Sequence, residues 1–290
     1  MSCTRRIAYA ALIAIGLLAV GLLTGGQSSA EAKEWKKIRI GTEGAYPPFN
    51  FIQPDGKLAG FEIDLANDLC QRIKAECEIV VQDWDGIIPA LNASKFDAIM
   101  SGMSITDKRK EVIAFSAPYT STPSAFGVLT TSALAKLPGA GQKFSLATDP
   151  EDAQKAIDAI KPMLKGKVIG VQDATIQLNF LEKYLKDVVE IRRYKTIEEH
   201  ALDLQSERID AEFTSLSVLN PAIEKAPDKN LTAAGPMFTG GVFGLGSGVG
   251  MRKSDEDLKA LFDTAIKSAI ADGTVKTLAM KWFKFDVTPG

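Results

Sequence analysis

The sequence predicts an α/β protein of open sheets, and three features carry that expectation. Short β-like runs alternate with amphipathic helical runs in two successive blocks. Between the blocks lies Ser132 to Pro162, which holds Pro138-Gly139 and Gly141 and then a polar helical run, and reads as a surface elaboration of the second block. Glycines at 235, 240, 241, 244, 246, 248 and 250 then mark a segment suited to bending and crossing. Open sheets of this class place ligands beyond the carboxyl ends of their strands.

The chain begins differently. Arg5 and Arg6 precede an apolar run from Ile7 to Leu23, and small and polar residues follow from Gly25 to Ala32. That layout predicts a secretory signal over residues 1–30, with cleavage after Ala30 or Ala32. In the first block, Ile38-Arg39-Ile40 predicts a strand, and Leu65, Ala66, Leu69, Cys70 and Ile73 fall at helical spacing. Ile79–Val81 and Phe96–Met100 predict two more strands. Asp85 is placed to cap a helix carrying Ile87, Ile88 and Leu91, and Thr106 to cap one that begins near Asp107. The second block predicts strands at Lys167–Val171, Glu190–Tyr194 and Ile209–Phe213. Its helices are expected at Gln177–Leu185 and Ile197–Leu204, with a short one at Leu216–Lys225 interrupted by Pro221. The C-terminal run is expected to be helical, with Leu258, Leu261, Phe262, Ala265 and Ile266 on one face.

With 46% hydrophobic and 24% charged residues among 290, the chain has material for a large core. A net charge of −2 argues against nucleic acid or a polybasic membrane patch as partner. His200 is the only histidine, too few ligands for a metal centre, so no metal, cofactor or catalytic residue is expected. Cys3 leaves with the signal. Cys70 and Cys77 remain, and in an oxidising compartment they can bridge a helix end to the next strand, or stay as two buried thiols.

Several segments carry a family resemblance: Ile38-Arg39-Ile40-Gly41-Thr42-Glu43, Tyr46-Pro47-Pro48-Phe49, Gly60-Phe61-Glu62-Ile63-Asp64-Leu65 and Phe96-Asp97-Ala98-Ile99-Met100-Ser101. With Met103-Ser104-Ile105-Thr106-Asp107-Lys108-Arg109 and Asp272-Gly273-Thr274, they resemble the periplasmic amino-acid-binding proteins of ABC transporters, solute-binding protein family 3. Within it the chain looks most similar to the lysine/arginine/ornithine, histidine and octopine/nopaline binders. Trp84-Asp85-Gly86-Ile87-Ile88-Pro89, the 132–162 insertion and the ending Lys281-Trp282-Phe283-Lys284 point to the opine branch. The resemblance implies a two-lobed periplasmic-binding-protein fold with two crossing hinge strands. Lobe one would be residues 36–122 and 237–290, and lobe two residues 123–236. It further implies a Cys70–Cys77 disulfide, a monomer in the periplasm, an amino-acid or opine ligand, and a membrane permease as partner.

The same resemblance implies the site. Arg109, in the first turn after Thr106, would grip the ligand carboxylate with its planar fork, helped by Ser104 and by the helix start. Glu43 would pair with a cationic side chain, which Tyr46 and Trp84 would sandwich. Ser101 and Gly102 would meet the ligand ammonium, Gly102 leaving room where several relatives have serine. On lobe two, Thr175, Ile176 and Gln177 would present N–H groups at a helix start, with Ala174 in place of the usual glycine. Ser215 stands where ordinary amino-acid binders carry an aspartate for the α-ammonium. That departure favours an opine, whose secondary amine bears another acid, unless Asp173 or Glu212 supplies the charge. The alternatives are a binder of another polar amino acid, a dehydratase-like enzyme on the same scaffold, and a sensing module.

Overall fold

A computed structural model of the chain describes residues 34–289. The expected signal segment and its cleavage after Ala30 or Ala32 lie outside the described residues. Two sheets built on one plan organise the described chain into two lobes. The first has the spatial order Glu76–Val81, Lys37–Thr42, Ala98–Ile99, Ser247–Met251, Ala114–Thr120. Its first three strands are parallel and its last two run against their neighbours. The second has the order Glu190–Tyr194, Val168–Gln172, Ala211–Ser215, Ser124–Leu129, Leu231–Thr239, Lys143–Ser145. Again a parallel trio is followed by antiparallel crossing strands.

The helices cover these sheets because their apolar residues recur at three- and four-residue spacing. Helix Phe61–Ile73 buries Phe61, Leu65, Ala66, Leu69 and Cys70. It packs with Leu258, Phe262, Ala265 and Ile266 of helix Glu256–Ala271 in one core cluster. Each large side chain fully buried there contributes about 1.5–3 kcal/mol. The Cys70–Cys77 disulfide ties this helix to strand Glu76–Val81, so the pair is not two free thiols.

Some expectations are corrected. The 132–162 stretch is no mere elaboration: Lys143–Ser145 adds a strand to the second sheet, and helix Pro150–Leu164 buries Ala153, Ile157, Ile160 and Leu164. Pro221 does not interrupt helix Leu216–Lys225, which runs through it. Phe96–Met100 shortens to a paired Ala98–Ile99. Asp85 makes no capping hydrogen bond, lying inside a tight turn at Trp84–Gly86 instead.

The chain crosses between sheets twice. Residues 121–123 lead from Ala114–Thr120 to Ser124–Leu129, and residues 240–246 lead back. Strand Leu231–Thr239 keeps Met237, Phe238 and Thr239 paired to Lys143, Phe144 and Ser145, so the second sheet extends past the boundary expected at 236/237. At Gly246, with φ +103°, a Cβ would stand 2.2 Å from the Thr120 carbonyl oxygen. Only glycine lets the two crossings lie this close.

Candidate ligand-binding cleft

The parallel strands of both sheets end at one cavity between the lobes, as the open-sheet rule requires. Glu43 follows Lys37–Thr42, Trp84 follows Glu76–Val81, and Ser101 and Gly102 follow Ala98–Ile99. Across the gap, Gln172 ends its strand just before Thr175, and Ser215 ends Ala211–Ser215. Every ligand residue expected from the sequence lines this cavity: Glu43, Tyr46, Trp84, Ser101, Gly102, Ser104, Arg109, Thr175, Ile176, Gln177 and Ser215.

On the first wall, Glu43 is buried. Its N–H donates to Ser101 Oγ (3.0 Å), and its Oε1 accepts from Gln172 Nε2 across the cleft (2.7 Å). Burial pushes the Glu43 carboxyl up to about 7, and the Gln172 hydrogen bond only partly opposes it. A second cross-cleft pair, Lys195 Nζ to Asp83 at 2.8 Å, is exposed at the rim. Tyr46 stacks on Phe49 with ring centroids 5.0 Å apart. Gly102 leaves no spare room, because the Tyr46 ring already occupies the space: a Cβ on Gly102 would come within 2.8 Å of it.

Arg109 donates to the Ser104 carbonyl (3.0 Å) and across the cleft to the Ala174 carbonyl (3.2 Å). Its guanidinium lies 5.1 Å from the Trp84 ring centroid, so Trp84 carries a protein cation on its face. Burial lowers the Arg109 pKa to about 10, leaving it charged at neutral pH. Thr106 caps as expected, accepting from Arg109 N at 3.3 Å. The helix it starts is only Asp107–Lys110, a single turn. Its dipole is too small to add much, so anion binding here falls to the guanidinium itself.

The second wall is neutral. Thr175 caps helix Ile176–Tyr184, its hydroxyl accepting from Leu178 N (3.2 Å) and donating to the Gln172 carbonyl (2.7 Å). The first-turn N–H groups of Ile176 and Gln177 have no acceptor within the helix. The Gln177 side chain itself turns away, donating to Ser124 Oγ at 3.0 Å. Ala174 sits at φ +56°, a left-handed conformation natural to the glycine it replaces. Ser215 Oγ lies 2.7 Å from both Thr122 Oγ1 and Ser217 Oγ, a cluster of three hydroxyls beside the first crossing.

Neither acid considered in place of an aspartate at position 215 lines the cavity. Glu212 is buried in a pair with His200, Nδ1 to Oε2 at 2.7 Å, and is not among the cavity residues. Asp173 is exposed, accepting from Ala174 N and facing Arg193. Gln172, Thr122 and Ser217 escaped the sequence analysis. Gln172 carried one legible signal, its place at the carboxyl end of a parallel strand.

The family profile of the bacterial extracellular solute-binding proteins, family 3, matches residues 38–285. The octopine-binding periplasmic protein of Rhizobium meliloti is 47% identical over 92% of this chain and 96% of its own length. The L-arginine-binding protein of Pseudomonas aeruginosa is 35% identical over 95% of this chain and 97% of its own. Among solved structures, an ancestral arginine-binding protein bound to arginine superposes with a TM-score of 0.72 at 30% identity, covering 87% of this chain and 100% of that one.

Proposed function

The chain belongs to the bacterial extracellular solute-binding proteins, family 3, and from that premise we propose that its cleft closes on an arginine-derived, opine-like cationic solute for a membrane importer. The supporting observation is the pairing of Glu43 and Arg109 in one cavity whose second wall offers hydroxyls at Ser215 in place of an acid. A guanidinium matches the buried Glu43 carboxyl, and a ligand carboxylate matches the Arg109 fork. The neutral Ser215 cluster accommodates a substituted amine better than a free α-ammonium.

Closure follows because such a solute touches both lobes and so favours the form in which they meet. We extend the reading to export by a cleaved signal, to the periplasm, and to a monomer that hands its cargo to a permease. The relatives named above are binders, and the cleft is read here as a binder's, with no catalytic step. Lobe boundaries follow the expected division, with the return crossing carried beyond Thr239.

Calorimetry against arginine, lysine, histidine, octopine and nopaline tests this. Octopine or nopaline is expected to bind well below millimolar Kd, with arginine second. Binding of a neutral or acidic amino acid, with none of these five better than about millimolar, overturns the assignment.

A further inference from the structure

We propose that Glu62 is a positioning residue that locks the Glu43 turn, the Gly102 floor and the strand entering the first crossing into one unit. Glu62 lies in the first turn of helix Phe61–Ile73 and is completely buried beneath the cleft. Its Oε2 accepts from Asn50 Nδ2 at 2.7 Å, and its Oε1 accepts from Gly102 N at 2.7 Å and from the Tyr119 hydroxyl. Asn50 in turn uses Oδ1 to accept from Gly44 N at 2.8 Å, one residue after Glu43. Tyr119 is the penultimate residue of strand Ala114–Thr120, next to the crossing at 121–123.

The donor and acceptor roles leave little choice. Because Gly44 occupies Asn50 Oδ1, the Asn50 amide can only donate toward Glu62. Both Glu62 oxygens therefore accept, which a carboxylate does and a carboxamide cannot. Burial raises the Glu62 pKa, against hydrogen bonds from Tyr119, Gly102 and Asn50 that lower it. A buried acid of this kind costs folding free energy unless its partners compensate, so its presence here is better accounted for by what it holds in place.

The proposal rests on the cleft being the ligand site, and the test separates the two. In Glu62→Gln, the Gly102 and Gly44 amides of the ligand-free protein should exchange hydrogen about tenfold faster, and octopine or arginine affinity should fall about tenfold. If that variant does not fold, Asn50→Ala carries the test: Gly44 alone should exchange faster, with weaker binding. Unchanged amide protection, or affinity within twofold of wild type despite faster exchange, overturns the proposal. Wild-type protein that binds none of these solutes defeats the functional reading instead, and the amide exchange still decides whether Glu62 holds the two turns.

Discussion

The first lobe faces the cleft with the ionic groups of Glu43 and Arg109, whereas the second faces it with hydroxyls, an amide and backbone N–H groups, together with the His200 and Phe213 rings. Glu43, Arg109 and Trp84 stand on one side, and Gln172, Thr175 and Ser215 on the other. The charged wall is assembled largely by its own lobe, through Ser101 Oγ on Glu43 N and the Ser104 carbonyl on Arg109. The neutral wall depends on a strained loop at Ala174 and on crossing residues such as Thr122. Changes on the first wall should therefore remove affinity outright, and changes on the second should shift selectivity or closure.

The largest effect belongs to Arg109. Truncation to alanine leaves a bound carboxylate buried without its partner, and should cost about 2–5 kcal/mol of binding. Ligand-free thermal unfolding should change little, since the side chain spends its protein hydrogen bonds on two carbonyls at the cleft. Calorimetry reads the first effect and circular dichroism the second. Retained affinity would remove Arg109 from the site.

Glu43 should show itself through pH. Its carboxyl is lifted from the ordinary 4.5 to about 7, so in the ligand-free protein its contribution to folding stability is fully present below pH 4.5 and is lost as pH rises through 7. A cationic solute reverses that dependence by pairing with the ionised form. Affinity should accordingly rise about tenfold from pH 6 to pH 8, as the ionised fraction climbs. Glu43→Gln should bind cations weakly with a flat profile. A wild-type profile equally flat would show that Glu43 does not meet the cation.

Residues of both walls, Glu43, Ser104 and Arg109 as well as Thr175, Ile176, Gln177 and Ser215, were legible through the family resemblance of the short segments that hold them, whereas contacts that cross the cleft were not. Gln172 meets Glu43 only when two lobes far apart in sequence come together, and no local pattern records that contact. The same holds for Glu62, whose partners Asn50, Gly102 and Tyr119 come from three separate segments. Helix Pro150–Leu164 was underrated because Glu151, Asp152, Lys155 and Asp158 give it a polar solvent face over a regular apolar stripe. The single-turn length of Asp107–Lys110 was equally hidden, because capping marks where a helix begins and says little about where it stops.

On the neutral wall, Ser215→Asp supplies the missing charge. Thr122 and Ser217 can both donate to the new carboxylate, so the substitution has partners in place. The ratio of arginine to octopine affinity should move toward arginine by about tenfold, or 1.4 kcal/mol. An unchanged ratio would mean that the amine end of the solute lies elsewhere.

The smallest expected effect isolates strain on that wall. Ala174 is held at φ +56°, where an L-residue pays about 1–2 kcal/mol relative to glycine. Ala174→Gly recovers that strain but gives the unfolded chain more freedom, which takes back about 0.5–1 kcal/mol. The remainder should raise the melting temperature by roughly 2 °C. Solute affinity should hardly change, because the residue 174 carbonyl still accepts from Arg109. A lower melting temperature would show that the loop is relaxed as it stands, and the contrast between a self-supporting wall and a strained one would then fail at the position where it is most specific.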